Sequence, residues 1–181
     1  MKFTRLAIPE CIYIEPDVRR DPRGSFYESY KKGEFQANGI SEDFVQDNQS
    51  FSTRGVLRGL HFQIAPHPQA KLVRVLKGRA FDVAVDIRKD SKTFGKYSAS
   101  VLSEENKQML YIPAGFAHGF CVLEDNTEFL YKVSDFYSPR HERGIIWNDP
   151  AIGIDWPKLD GAFVLSEKDQ KYPTLKKAFQ H

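Results

Sequence analysis

The sequence predicts a mainly β protein, a barrel or sandwich of many short strands with a few short helices outside it. Three observations lead there. Several segments of strand length alternate or run apolar and stop at Gly, Pro, Asn or Asp. Their close, even spacing suits a sandwich or barrel better than an α/β fold. Helical signals, finally, are few.

Taken in order, residues 31–38 read as one short helix closed by Gly39. Residues 46–74, QDNQSFSTRGVLRGLHFQIAPHPQAKLVR, set a histidine, several amides, arginines and a lysine among apolar residues of strand character. Lys71–Lys77 alternates and ends at Gly78. Residues 80–87 put Phe81, Val83, Val85 and Ile87 on one face and Asp82, Ala84 and Asp86 on the other. Further strands are expected over 97–102, 108–112, 118–123 and 128–136. Ser166 reads as the cap of a helical turn over 166–170, and the polar last twenty-odd residues are expected to wrap the outside. With 181 residues, no repeat and no linker, the chain is expected to be a single domain over 1–181.

Bulk composition excludes several classes. The hydrophobic share is 41% and the charged share 28%, ordinary for a soluble globular chain. A net charge of +2 makes no case for nucleic acid or a membrane surface as partner. The N-terminus lacks a signal-peptide apolar core, and no apolar run is long enough to span a bilayer. Cys11 and Cys121 have no metal-ligand spacing and suit a reduced, cytoplasmic setting.

The polar cluster in 46–74 carries the chemistry. Polar groups that dense on core-facing strands are costly to bury unless they meet a ligand. His61 reads equally as a core histidine with one hydrogen bond and as a base. Lys71 and Arg58 tip the balance, because three basic groups do not share an apolar pocket without an anionic occupant. Strand parity puts His61 and Gln63 on one face and Arg58 on the other, unless Gly59 marks a bulge that re-aims Arg58. His118 ends a P-x-G-x-x-H stretch that resembles the second motif of cupins, where such a histidine often binds metal. The first cupin motif needs H-x-H, and the matching residues here are His61, Phe62 and Gln63. A metal-free barrel is therefore favoured on ligand count. Tyr131 taken alone is a barrel aromatic. Arg23 and Glu28, near Phe26 and Tyr27, read as a solvated hairpin or as a phosphate- and base-holding pair.

Seven segments occur in one family's order: DPRGSFYE (21–28), QDNQSFSTRGVLRGLHFQ (46–63), KLVRV (71–75), DVAVDIRKDSKTFGK (82–96), YIPAGFAHGF (111–120), WNDPAIGIDWP (147–157) and LSEKD (165–169). Together they resemble the dTDP-4-dehydrorhamnose 3,5-epimerase family over nearly the whole chain. The resemblance implies a cupin-type double-stranded β-helix, a jelly-roll barrel, that works as a homodimer without metal or organic cofactor. It implies a dTDP-4-keto-6-deoxyhexose as substrate, epimerised at C3 and C5 in deoxysugar biosynthesis. Matched residue by residue, His61 would be the base, Asp169 its partner, Tyr131 the acid and Lys71 the group near the C4 carbonyl. Arg58, Gln46, Asp47, Asn48 and His118 would bind sugar and phosphates. Arg23, Phe26 and Glu28 would reach the nucleotide, partly from the partner subunit, and Glu142 and Lys168 match further binding positions.

Other readings compete with this one. The chain could act at one carbon only, or as a ketoisomerase on a similar sugar. It could also be a non-catalytic cupin sugar-binding module. A metal-dependent dioxygenase ranks last.

Overall fold

The computed structural model describes residues 1–180. Thirteen strands and two short helices occur in the order β1 (Lys2–Arg5), β2 (Ile12–Glu15), β3 (Arg19–Asp21), β4 (Gly24–Phe26), α1 (Lys32–Ala37), β5 (Gln46–Ser52), β6 (Leu57–Gln63), β7 (Lys71–Lys77), β8 (Arg79–Asp86), β9 (Tyr97–Ser103), β10 (Met109–Ile112), β11 (Phe116–Val122), β12 (Thr127–Val133), β13 (Glu142–Gly144) and α2 (Leu175–Ala178). Two antiparallel sheets form the body. One is ordered β1-β2-β10-β7-β12-β5 and the other β13-β6-β11-β8-β9. Sequence neighbours repeatedly fall in opposite sheets, as β6 and β7 or β11 and β12 do, which is the winding of a jelly-roll barrel. The expected fold class is borne out. A separate hairpin, β3 with β4, stands exposed beside it.

Alternation along the strands explains how both sheets are covered. Between them, Val73 and Val75 of β7, Ala80 and Ala84 of β8, Phe120 and Val122 of β11 and Phe129 of β12 form the inner core. Val83 and Val85 point the other way, joining Leu57, Leu60, Phe62, Ile145, Trp156 and Leu175 on the outer face of the second sheet. Ile12, Ile14, Leu72, Met109 and Tyr111 cover the outside of the first sheet with Phe35 of α1 and Ile40. Because β11 is covered on both faces, all seven of its residues are buried, so it reads as a run rather than an alternation. Both cysteines are among these packed groups, and burial pushes their thiols up, Cys11 to about 12 and Cys121 to about 11.

The capped helical turn expected over 166–170 is present: the Gln170 amide donates to the Ser166 carbonyl at 3.2 Å, and Ser166 Oγ accepts from the Asp169 amide at 3.1 Å. Two other expectations need correction. The strand expected over 128–136 stops at Val133, because its partner β5 starts at Gln46, which pairs with Val133. The tail is no mere polar wrap. Leu175 of α2 is buried, and Phe179 stacks on Phe62 with centroids 5.9 Å apart.

The inner core centres on Phe120 and Phe129, whose rings stack 4.0 Å apart and 4° from parallel. Phe129→Ala would leave a cavity between the sheets, and urea unfolding should show a loss of about 3–5 kcal/mol.

Candidate active site

The chemistry-bearing side chains enter one cavity of about 450 Å³ from both sheets. Its lining includes Gln46, Asn48, Arg58, His61, Gln63, Lys71, His118, Tyr131 and Glu142. His61 and Arg58 come from β6, His118 from β11, Lys71 from β7 and Tyr131 from β12. Two walls therefore face each other, with His61 and His118 on one sheet and Lys71 and Tyr131 on the other.

Arg58 and His61 share this cavity only because the ladder slips. His118 pairs with His61, but Phe120 pairs with Arg58, so Gly59 and Leu60 together stand opposite Gly119. That is a bulge, and it rotates Arg58 to the inner face. Gly59 has φ +130, and a Cβ there would lie 2.5 Å from the Gly119 Cα. Glycine is required on steric grounds.

His61 Nε2 lies 2.5 Å from Asp169 Oδ1. Asp169 is 3% exposed. Burial raises its pKa, but hydrogen bonds from His61 and Ser166 outweigh burial and hold it below the usual carboxylate range. An ionised carboxylate only accepts, so Nε2 carries the proton donated to it and Nδ1 is the basic nitrogen. Asp169 thus sets the tautomer of His61.

Lys71 is 8% exposed, and its ammonium donates to the His61 carbonyl at 3.5 Å. Burial pushes its pKa down to about 8, against the pull of the Asp82 and Glu142 carboxylates. It stays mainly cationic at neutral pH. The Tyr131 hydroxyl is raised, chiefly by burial, with Arg58 opposing. It keeps its proton across the neutral range.

Asp82 and His118 form a second buried pair. His118 Nε2 lies 2.8 Å from Asp82 Oδ2, while Asp82 Oδ1 has no partner. Burial lowers the pKa of His118 despite that carboxylate, so the ring is neutral. At the rim, Glu142 accepts from the Tyr137 hydroxyl at 2.8 Å and pairs with Lys168. Burial raises the Glu142 pKa, but Lys168 and Tyr137 bring it below its ordinary value. Gln46 Nε2 donates to Asn48 Oδ1 at 2.8 Å, and Arg58 Nη2 donates to Ser52 Oγ at 3.3 Å.

Not every expected residue is here. Asp47 alternates out of the barrel on β5 and pairs with Lys132 at 2.9 Å, so the structure removes it from the cavity. Arg23 and Phe26 lie on the β3–β4 hairpin, where Arg23 is held by Asp21 at 2.6 Å and Phe26 is 70% exposed. Glu28 follows that hairpin and faces Lys31 at 3.6 Å. None of these three lines the cavity within one chain. Lys168 stands beside it, in an adjoining recess shared with Arg58, His61, Glu142 and Asp169. Asp82 and Tyr137 were missed. An acidic residue inside an apolar strand was a usable signal for Asp82, whereas Tyr137 follows the end of β12 and carries no periodic mark. Among the described residues, no group of three or more His, Cys, Asp or Glu could hold a metal ion.

Known proteins resemble this chain in sequence and in fold. The sequence model of the family described as dTDP-4-dehydrorhamnose 3,5-epimerase matches residues 5–177. A dTDP-4-dehydrorhamnose 3,5-epimerase of Pseudomonas aeruginosa is 58% identical over 94% of each chain. The crystal structure of a dTDP-6-deoxy-D-glucose-3,5-epimerase from Legionella pneumophila in complex with dTDP-4-keto-L-rhamnose superposes with TM-score 0.93 at 47% identity, covering 97% of this chain and 93% of that one. A 3'-monoepimerase from Streptomyces bikiniensis in complex with dTDP-quinovose has TM-score 0.90 at 35% identity, covering 97% and 88%. With nearly its full length matched in sequence and in fold, the chain belongs to the dTDP-4-dehydrorhamnose 3,5-epimerase family.

Proposed function

We propose that this chain epimerises dTDP-4-dehydro-6-deoxy-D-glucose at C3 and C5, giving dTDP-4-dehydro-L-rhamnose. One observation carries the reading: an Asp169-backed His61 on one sheet and Tyr131 on the facing sheet enter the same cavity as the buried Lys71. His61 Nδ1 takes the proton from the carbon beside the ketone, and the electron pair moves into an enolate on the C4 oxygen. The Lys71 ammonium stabilises that oxyanion in a site where little water screens it. Tyr131 then delivers its proton to the opposite face of the carbon, which inverts it. His61 leaves the step protonated and Tyr131 deprotonated, and exchange with solvent restores both. Arg58 suits the diphosphate, since a guanidinium meets phosphate oxygens in a fixed fork.

Several finer points belong to the same proposal. The exposed hairpin carrying Arg23 and Phe26, followed by Glu28, suits a homodimer in which these residues complete a neighbouring subunit's site. No described helix is long and apolar enough to cross a membrane, and two buried free thiols fit a reducing cytoplasm. The chain is read as one domain, with no nucleic acid partner. A second reading, action at a single carbon, is favoured by the likeness to the 3'-monoepimerase.

In D2O with the dTDP-4-keto sugar, nuclear magnetic resonance should show deuterium entering at both C3 and C5. Label at one carbon alone would select the second reading, and no label would sink both. His61→Ala should abolish exchange at both carbons. Tyr131→Phe should keep exchange but impair inversion at C5, and wild-type behaviour would remove the acid role. Lys71→Met should lower kcat by roughly a hundredfold or more. Since Lys71 loses its charge at about pH 8, kcat should fall as pH rises through that value, and this alkaline limb should be absent from the residual rate of Lys71→Met.

A further inference from the structure

Beyond Val133 the backbone loses its β5 partner, and side chains take over. Residues 135–138 are held by three glutamines. Gln69 Nε2 donates to the Asp135 carbonyl at 2.7 Å. Gln63 Nε2 donates to the Phe136 carbonyl at 3.2 Å, and Gln63 Oε1 accepts from the Ser138 amide at 2.7 Å. Gln46 Oε1 accepts from the Tyr137 amide at 3.1 Å. Gln63 Nε2 also donates to the His67 carbonyl at 2.8 Å, which ties in the loop between β6 and β7. One amide, 8% exposed, thus clamps two loops.

Its position makes the clamp more than a loop staple. Gln63 is two residues past His61 on the same strand, so the base and the clamp share one rigid element. The clamped segment is part of the cavity rim through Tyr137, and its aromatic rings are exposed. Phe136 is 64% and Tyr137 52% exposed, and the Tyr137 hydroxyl reaches Glu142. A keto sugar seated between His61, Lys71 and Tyr131 occupies the inner part of the cavity. Tyr137 of this rim lines the same cavity next to Gln46 and Glu142, so the rim borders the space left for the rest of a nucleotide sugar.

Accepting the function proposed above, we infer that Gln63 is a positioning residue for binding. It holds the 135–138 rim at a set place relative to His61, and so governs capture of the nucleoside diphosphate half of the substrate rather than the proton transfer. Losing the amide strands three backbone groups at once, and buried backbone groups without partners drive local rearrangement.

Gln63→Leu and Gln69→Leu test this, with dTDP alone as the binding probe. Gln63→Leu should raise the Kd for dTDP and the KM for the dTDP-keto sugar by the same factor, roughly tenfold for the loss of one to two net hydrogen bonds. Its kcat and its deuterium exchange at saturating substrate should stay within about twofold of wild type, since uniform binding loss leaves kcat alone. Gln69→Leu, which leaves the Gln63 bonds in place, should show a smaller rise of the same kind, and it carries the test if Gln63→Leu does not fold. An unchanged Kd for dTDP, or a fall in kcat at constant KM, overturns the proposal. Binding of dTDP needs no catalysis, so failure of the base assignment would show in His61→Ala and leave this result readable.

Discussion

The close approach of β6 to β11 at Gly59 and Gly119 is the constraint on which the site depends. A side chain at either glycine would meet backbone within 3 Å. That contact absorbs the extra residue of β6, and the slip then decides which way Arg58, Leu60 and His61 point. Leu60 goes to the outer core with Leu57 and Phe62, while Arg58 and His61 go to the cavity. Undoing the slip would reverse the facing of part of the strand, since side chains alternate along it. The bulge thus serves packing and chemistry together.

Electrostatics follows from that placement. The cavity gathers a lysine, an arginine and two histidines inside a protein whose net charge is only +2. Three of these four groups have a carboxylate at hand: Asp169 for His61, Asp82 for His118, and Asp82 with Glu142 near Lys71, while Arg58 meets the Ser52 hydroxyl. The carboxylates keep the site foldable while empty, because a lone buried charge is far costlier than a paired one. Lys71 is the exception that matters. Its single hydrogen bond is long, and its charge is left for something anionic to meet.

How much of this could be read from the chain depends on how local each signal is. Strands such as β7, β8 and β9 announced themselves because their alternation reflects burial on known faces, and His61, Lys71 and Arg58 stood out as basic groups among apolar neighbours. Parity left Arg58 on the wrong face, and only the pairing with β11 resolves it. Asp169 lies 108 residues from His61, and no local pattern links two such positions; the family resemblance supplied that pair. Asp47 was carried in with its neighbours Gln46 and Asn48, yet strict alternation on a regular strand sends it outward. Tyr137 and the glutamine clamp were not legible, since a segment without a ladder partner has no period to read.

The two buried thiols have a practical side. With Cys11 and Cys121 both deep in packed layers and held protonated, neither offers a thiolate to alkylating reagents or oxidants under ordinary conditions. The native chain is in effect a cysteine-free background. A single exposed cysteine introduced on the surface would be its sole reactive handle, so a fluorophore or spin label could be attached at one chosen place without first replacing any core residue.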